Sequence, residues 1–184
     1  LLGQVLDAQV TDLEVGAFCL AMRIKGETPE EMAGFLDAVH ARINALPAFD
    51  LQPTVVIPCY NGARKLPALA ALLALLLSQQ GVRVCVHGTS TESSRTTSFE
   101  VLEALGHKAL TDTQQAHAGL NLVPTEVLSP ALKQLLDVRR VVNLRNPAHS
   151  LVKLMNPCDG PALVVANYTH PEYLQSMSAT FALT

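Results

Sequence analysis

The stretch that decides the fold is residues 54–88, TVVIPCYNGARKLPALAALLALLLSQQGVRVCVHG. It begins with a short β-branched strand over 54–57, and a polar turn over 59–65 leads into a Leu/Ala-rich helix predicted over about 67–80. A second strand is predicted over 82–86. Strand, helix and strand at this spacing are typical of a βαβ unit, and they predict a mainly parallel sheet in an α/β fold.

The sequence after this unit continues the same alternation. Residues 97–100 form a capping box for a helix predicted over 101–105. Residues 125–155 are predicted to be helical, and 162–166 is predicted to be a further strand, followed by a helix from about Pro171. These patterns extend the α/β region and interrupt it with a helical pair.

The first third of the chain is predicted to be a small all-helical unit. Capping boxes at Thr11–Glu14 and Thr28–Glu31 begin two helices, the second with Pro29 at its first helical position. The first of these helices is apolar on almost every side, which is more apolar surface than one small helical unit can bury. We therefore expect homodimerisation through the N-terminal helices.

Composition excludes several classes of protein. Of the 184 residues, 49% are hydrophobic and 16% charged, which excludes a disordered chain, and the net charge of −3 gives no overall basic field for nucleic acid. The four cysteines lie far apart, which disfavours a disulfide scaffold or zinc ribbon and favours a cytoplasmic protein. The apolar run 66–77 is too short to span a membrane, so no membrane partner is expected. Because both ends fall within predicted helices, we expect the chain to be incomplete at both ends.

Two loops lie where the carboxyl ends of the predicted strands meet, which is where ligands bind in parallel sheets. The loop 58–65 precedes a helix and carries Arg64 and Lys65, so it could hold a phosphate, although it matches neither a Walker A nor a dinucleotide motif. An ordinary turn with two solvated cations is the alternative interpretation. The loop 87–98 offers His87 and several hydroxyls, and here too a structural role is the alternative.

A third candidate is a group of cations in the predicted helical pair, interleaved with Asn and His side chains. Its members are Arg139, Arg140, Arg145 and Lys153. On one face they would form a local cationic patch, and otherwise they are surface cations of a helical hairpin.

Several segments together resemble glycosyltransferase family 3, which includes the anthranilate phosphoribosyltransferases and the pyrimidine nucleoside phosphorylases. The segments that carry the resemblance are 9–18, 23–31, 81–84, 87–88, 93–95 and 101–106. The resemblance implies a fold of the nucleoside phosphorylase/phosphoribosyltransferase type, with a small helical domain and a larger α/β domain. It divides the chain into helical residues 1–46, α/β residues 47–123, a returning helical pair at 124–158 and continued α/β residues 159–184.

The resemblance also implies positions for the family's site, and these positions are substituted. Active members hold the diphosphate of phosphoribosyl pyrophosphate (PRPP) in a Gly-Thr-Gly-Gly-Asp-Gly turn, whereas residues 58–63 here read PCYNGA. The phosphate-loop counterparts are Tyr60, Asn61, Gly62, Arg64 and Lys65, and the substrate-pocket counterparts are His87, Gly88, Ser94 and Arg95. We assign no catalytic residue and no cofactor, with magnesium expected only if PRPP binds. The family's metal-binding acidic pair is expected beyond Thr184.

Three hypotheses follow from this substituted site. Segments 60–65, 138–153 and 169–173 resemble the non-biosynthetic, nucleic-acid-binding branch of the family, so a homodimer that binds single- or double-stranded nucleic acid is expected. The nucleic-acid candidates are Arg64, Lys65, Arg139, Arg140, Arg145 and Lys153, placed across a cleft between the domains, with Tyr60 available for base stacking. An active phosphoribosyltransferase on anthranilate or another aromatic amine is the first alternative. A dimeric relic with an unknown partner is the second.

Overall fold

The computed structural model describes residues 1–49, 53–60, 62–63, 67–89, 95–168 and 170–184. In chain order the elements are α1 (Leu2–Leu6), α2 (Asp12–Lys25), α3 (Pro29–His40), β1 (Thr54–Pro58), α4 (Leu69–Gln79), β2 (Val84–Gly88), α5 (Ser98–Ala104), a 3₁₀ turn (Thr113–Gln115), β3 (Leu120–Pro124), α6 (Thr125–Leu128), α7 (Pro130–Val142), α8 (Ala148–Leu151), β4 (Ala162–Val164) and α9 (Pro171–Phe181). Within these residues, none of the helices has the length and apolarity needed to cross a membrane.

The chain forms two compact units. The helical unit comprises Leu1–Ile43, Ser129–Met155 and Asn167–Thr184, and the α/β unit comprises Asn44–Leu128 and Asn156–Ala166. These units differ from the division drawn from the sequence, which placed 44–46, 124–128 and 156–158 with the helices and kept all of 159–184 in the α/β domain. The largest difference is at the last segment. The reason is that α9 packs on α3, so only the short strand β4 stays with the sheet.

Local sequence signals set the starts of three helices. Thr11, Thr28 and Thr97 each accept a backbone hydrogen bond from a Glu three residues on, whose carboxylate accepts one from the Thr backbone N–H. Such a cap stabilises a helix by about 1 kcal/mol. The predicted capping boxes are confirmed.

The α/β unit is built on a four-stranded parallel sheet in the order β3-β2-β1-β4, as the spacing of strands and helices predicted. Strand β3 was not predicted from the sequence, because this five-residue strand contains Asn121, a residue that strands usually avoid. Asn121 is nevertheless buried, since its side chain bonds the backbone of His117 and Gly119. The turn at residues 117–119 therefore supplies the hydrogen bonds that the buried Asn121 amide needs within the strand.

Strand β2 also runs further than predicted. His87 and Gly88, which were assigned to the following loop, are its last two residues; His87 pairs with β1 and β3, and Gly88 pairs with β3. A Cβ atom at Gly88 would lie 2.3 Å from the carbonyl oxygen of Cys59, so this close approach requires glycine. The strand therefore carries His87 into the interior.

One face of the sheet packs against α4 and α5. Its buried core contains Ile57, Cys59, Ala71, Ala74, Val84, Val86, Leu102, Leu120 and Leu122. Helix α4 buries Ala71 and Ala74 in this core and packs Leu75 and Leu77 against it, and it leaves Leu69, Leu72 and Leu76 exposed. Ligands of parallel sheets bind beyond the carboxyl ends of the strands, so the side chains at those ends define the candidate site.

Candidate functional site

The carboxyl ends of β1, β2 and β3 bring together three buried polar side chains. Tyr60 follows β1, His87 lies near the end of β2, and Thr125 follows β3. The Thr125 hydroxyl lies 3.0 Å from Tyr60 Oη and donates to it, and Tyr60 Oη lies 3.0 Å from His87 Nδ1. These two contacts join the three side chains into one buried hydrogen-bonded group. We call this group the sheet-edge triad.

Burial keeps the sheet-edge triad uncharged. The His87 side chain is fully buried, and burial lowers its pKa to about 3. Burial also raises the pKa of Tyr60 far above its ordinary value, despite the hydrogen bond from Thr125. Neither group changes charge near neutral pH, so the triad offers no proton donor or acceptor with a pKa suited to catalysis there.

Tyr60 itself is turned inward. Only 4% of the residue is exposed, and its ring contacts the His87 ring edge-on with centroids 5.5 Å apart. Tyr60 is therefore not available to stack on a nucleic-acid base, which corrects that expectation. Thr125 was not predicted as a partner of Tyr60, because it follows β3, the strand that the sequence pattern does not reveal.

The two candidate loops contact each other in the α/β unit. The backbone N–H of Ala63 donates to the carbonyl of Thr96 over 2.8 Å, which makes an antiparallel bridge. A Cβ atom at Gly62 would lie 2.7 Å from Arg95 Cβ, so a larger residue would force the loops apart. The predicted residues Asn61, Arg64, Lys65 and Ser94 lie outside the described residues.

In the helical unit, three of the predicted cations lie close enough to His149 to lower its pKa. Arg139 comes from α7, Arg145 from the turn after it, and Lys153 from the turn after α8; all three are partly buried. Burial lowers the pKa of His149 to about 4, and the positive charges of these three side chains lower it further. The same burial, with Arg145 nearby, lowers the pKa of Lys153. We call these three cations and His149 the cation cluster.

Local structure explains how the cation cluster is held. Helix α7 ends at Asn143, whose left-handed backbone (φ 56°) redirects the chain. Asn146 then donates from its side chain to the carbonyl of Leu135 over 2.6 Å and accepts from the N–H of Ala148 over 3.1 Å. This buried amide fixes the turn between Arg145 and His149.

Arg140, the fourth predicted cation, forms an ion pair within α7. It is exposed, and its Nε lies 3.2 Å from one carboxylate oxygen of Asp137, whose other oxygen pairs with Lys133. The predicted patch is thus a set of three cations about His149, with Arg140 paired to an acid on its own helix. No group of His, Cys, Asp and Glu side chains suited to a metal ion occurs in the described part of the chain.

Comparisons with known proteins agree with this architecture. Residues 1–42 match the glycosyl transferase family, helical bundle domain. The protein "Uncharacterized protein YbiB" of Escherichia coli (strain K12) is 36% identical over 99% of this chain and 59% of its own length. An anthranilate phosphoribosyltransferase of Dictyoglomus thermophilum is 28% identical over 88% of this chain and 49% of its own length. The chain thus spans about half the length of the curated relatives it matches.

Solved structures show the same fold. The superposition on anthranilate phosphoribosyltransferase from Thermus thermophilus covers 98% of this chain and 56% of that enzyme's chain, with a TM-score of 0.82 and 23% sequence identity. The enzyme from Saccharomyces cerevisiae, solved in complex with PRPP and Mg, matches 99% of this chain and 55% of its own, with a TM-score of 0.73 and 14% identity. The relative that shares 36% identity does not bear the enzyme's name, which fits the resemblance to the non-biosynthetic branch. The chain is therefore similar to the anthranilate phosphoribosyltransferases of glycosyltransferase family 3, and its residues 1–42 match that family's helical bundle domain.

Proposed function

We propose that this protein binds the phosphate backbone of nucleic acid and does not transfer phosphoribose. The observation that carries the proposal is the cation cluster in the helical unit. Residues 129–155 contain five cations and a single acid, Asp137, in a chain whose net charge is −3. Such a local excess of positive charge attracts a polyanion even when the whole chain is acidic.

The cation cluster suits backbone contacts better than base recognition. Its charged groups are two guanidinium groups and an ammonium, which are the usual phosphate ligands. Tyr60 is buried, and the described part of the cluster includes no aromatic ring apart from His149. We therefore expect weak sequence preference and an affinity that falls steeply with salt.

The sheet-edge triad argues against phosphoribosyl transfer. A diphosphate needs backbone N–H donors that are free to turn toward it, but the N–H of Ala63 already donates to Thr96. His87, which contacts Tyr60, is neutral and fully buried. The described part of this loop therefore does not fit PRPP with magnesium, and we assign no catalytic step to it.

An active phosphoribosyltransferase, on anthranilate or another aromatic amine, is the second candidate. It is favoured by the family itself, since relatives and structural neighbours carry that enzyme's name and the yeast enzyme has been solved with PRPP and Mg. Magnesium would then accompany bound PRPP. Steady-state turnover separates the two candidates and is treated in the Discussion.

Self-association through the helical unit accompanies both candidates. Helix α2 exposes Leu13, Leu20 and Ile24, which are 83%, 48% and 78% exposed and spaced along one stripe of the helix. An apolar stripe of this kind is typical of a helix–helix contact between copies. Sedimentation equilibrium at micromolar concentration should give a dimer, and Leu20→Glu with Ile24→Glu should give a monomer.

Fluorescence anisotropy with a labelled oligonucleotide tests the binding proposal. The double variant Arg145→Glu with Lys153→Glu should weaken binding to all sequences by about tenfold or more and reduce the salt slope by about two. The matched control is Arg23→Glu with Lys108→Glu, which reverses two exposed cations outside the cluster. Equal losses in both variants, or no binding by the parent protein at low salt, would refute the proposal.

A further inference from the structure

A pair of thiols lies on the face of the sheet opposite the core formed with α4 and α5. Cys85 lies in β2, and Cys158 lies in the segment that leads into β4. Val84 and Val86 point into that core, so Cys85 between them points to the other face. The two thiols lie within hydrogen-bonding reach of each other, with the Cys85 S–H as the donor. Both lie outside the sheet-edge triad and the cation cluster.

Backbone hydrogen bonds hold the segment that carries Cys158. The Leu46 N–H donates to the carbonyl of Pro157 over 2.8 Å, and the Leu46 carbonyl accepts from the N–H of Asp159 over 2.8 Å. The N–H of Cys158 donates to Asn156 Oδ1 over 3.1 Å. The residues on both sides of Cys158 are therefore fixed, and so is the thiol's place beside β2.

Arg83 places a buried positive charge beside this pair. Only 4% of the residue is exposed, and its Nε and Nη1 atoms donate to the backbone carbonyls of His117 and Pro47. Among the residues that the structure describes, its Nη2 atom has no hydrogen-bond partner and its guanidinium group pairs with no carboxylate. A buried cation without a nearby anion is costly. A thiolate close to Arg83 would supply the missing negative charge.

Thr54 links Arg83 to Cys158. Arg83 Nη1 donates to Thr54 Oγ1 over 3.5 Å, and the Thr54 hydroxyl bonds the Cys158 side chain. The hydrogen bond from Cys85 lowers the pKa of Cys158 most, and the positive charge of Arg83 lowers it further. Thr54 acts in the same direction, whereas burial and the negative charge of Asp159 oppose it. Because the pKa of Cys85 is raised by the same hydrogen bond and by burial, the thiolate of the pair is on Cys158.

We infer that Cys158 and Cys85 form a peroxide-sensitive thiol pair, in which Cys158 is the site of attack and Cys85 converts the product into a disulfide. First, the Cys158 thiolate attacks one oxygen of a hydroperoxide and the O–O bond breaks, which gives a sulfenic acid and a hydroxide or alkoxide ion. The Cys85 thiol then condenses with the sulfenic acid, which forms the S–S bond and releases water. One hydroperoxide oxidises both cysteines, so no further reagent is needed. The inference does not depend on the proposed function.

The exposure of the two thiols suits these roles. Cys158 is 8% exposed and precedes the exposed residue Asp159, so a small peroxide can approach it. Cys85 is fully buried, and it needs no contact with the peroxide because the sulfur it attacks lies beside it. Burial raises the pKa of Cys19 and raises that of Cys59 to about 11. These two thiols therefore stay protonated near neutral pH and react slowly.

Peptide mapping of the oxidised parent protein tests this inference without any variant. The reduced protein is freed of reductant, treated with hydrogen peroxide at neutral pH, and digested under non-reducing conditions for mass spectrometry. The expected product is a pair of peptides joined through Cys85 and Cys158, with Cys19 and Cys59 still free. A disulfide between any other two cysteines, or oxidation of Cys19 or Cys59 before Cys158, would overturn the inference.

Trapping of the intermediate separates the roles of the two cysteines. In Cys85→Ser the sulfenic acid has no thiol to condense with, so dimedone should label Cys158. In Cys158→Ser the buried Cys85 should stay reduced. Cys19→Ser is the matched control, because it removes a buried cysteine outside the pair and should form the disulfide at the parent's rate. Oxidation of Cys85 in Cys158→Ser at the parent's rate would refute the assignment of Cys158 as the site of attack.

The hydrogen bond from Thr54 is tested by the pH profile of disulfide formation. Thr54→Val removes this donor to the thiolate, so it should slow the reaction about threefold at neutral pH and move the rate profile to higher pH. Thr54→Ser keeps the hydroxyl and should retain the parent's profile. If Thr54→Val reacted with the parent's profile, the thiolate would not be held as inferred.

Discussion

The sheet-edge triad and the cation cluster each contain a buried histidine with a depressed pKa, but for different reasons. His87 has a pKa of about 3 through burial alone, and its neighbours Tyr60 and Thr125 are neutral hydroxyls. His149 has a pKa of about 4 because burial is joined by the positive charges of Arg139, Arg145 and Lys153. Burial is a property of the fold, whereas repulsion by cations can be removed by an anion. The comparison teaches that a depressed histidine pKa indicates a ligand only where its cause is a charge that a ligand can offset.

The largest effect that would break this comparison is catalysis at the sheet edge. We expect turnover of anthranilate with PRPP and magnesium to lie at least about a hundredfold below that of a biosynthetic enzyme, because one lost preorganised donor alone costs that much. Steady-state product formation checks it, with an authentic anthranilate phosphoribosyltransferase in parallel. Rates like those of that enzyme would show that the triad opens to admit substrate.

Acid stability sharpens the contrast between the two histidines. Both folded-state pKa values lie below the unfolded value of about 6.5, so the unfolded chain binds more protons in this range and stability is lost as pH falls below it. Each histidine should cost about 2 kcal/mol between pH 6.5 and pH 5. Urea unfolding at several pH values measures this slope, which His87→Gln and His149→Gln should each reduce by roughly half of the total histidine effect. Saturating oligothymidylate should suppress the contribution of His149 and leave that of His87.

One result would contradict this account of the acid stability. If oligothymidylate changed the pH slope of His149→Gln as much as that of the parent, the ligand would act on stability by another route. His170→Gln is the control, because that exposed residue should leave the slope unchanged.

The smallest expected effect concerns the hydroxyl that holds the triad together. Tyr60→Phe leaves His87 Nδ1 and the Thr125 hydroxyl without this buried partner, so it should lower the free energy of unfolding by about 1–3 kcal/mol. Urea denaturation checks it, and Tyr173→Phe, at a residue that is 48% exposed, is the matched control. A variant as stable as the parent would mean that water satisfies these groups and that the edge is more open than the structure implies.

Local patterns in the sequence determined much of the fold. The capping boxes place both partners of each hydrogen bond within three residues, so they could be read directly and are confirmed at α2, α3 and α5. The β-branched runs and the Leu/Ala helix of residues 54–88 likewise predicted a parallel sheet, because hydrophobic pattern and spacing restrict the topology. The resemblance to glycosyltransferase family 3 rests on the same local segments.

Tertiary structure alone decided which side chains meet. Tyr60 and Thr125 lie 65 residues apart in the sequence, and their contact depends on the position of β3. That strand could not be predicted from residue propensities, because it contains the buried Asn121. Likewise, the sequence named four cations in the helical pair, but the turn held by Asn146 brought three of them to His149 and left Arg140 beside Asp137. The physical reason is range: a helix cap is settled by neighbours in the chain, whereas the charge around a buried ring is settled by packing between distant segments.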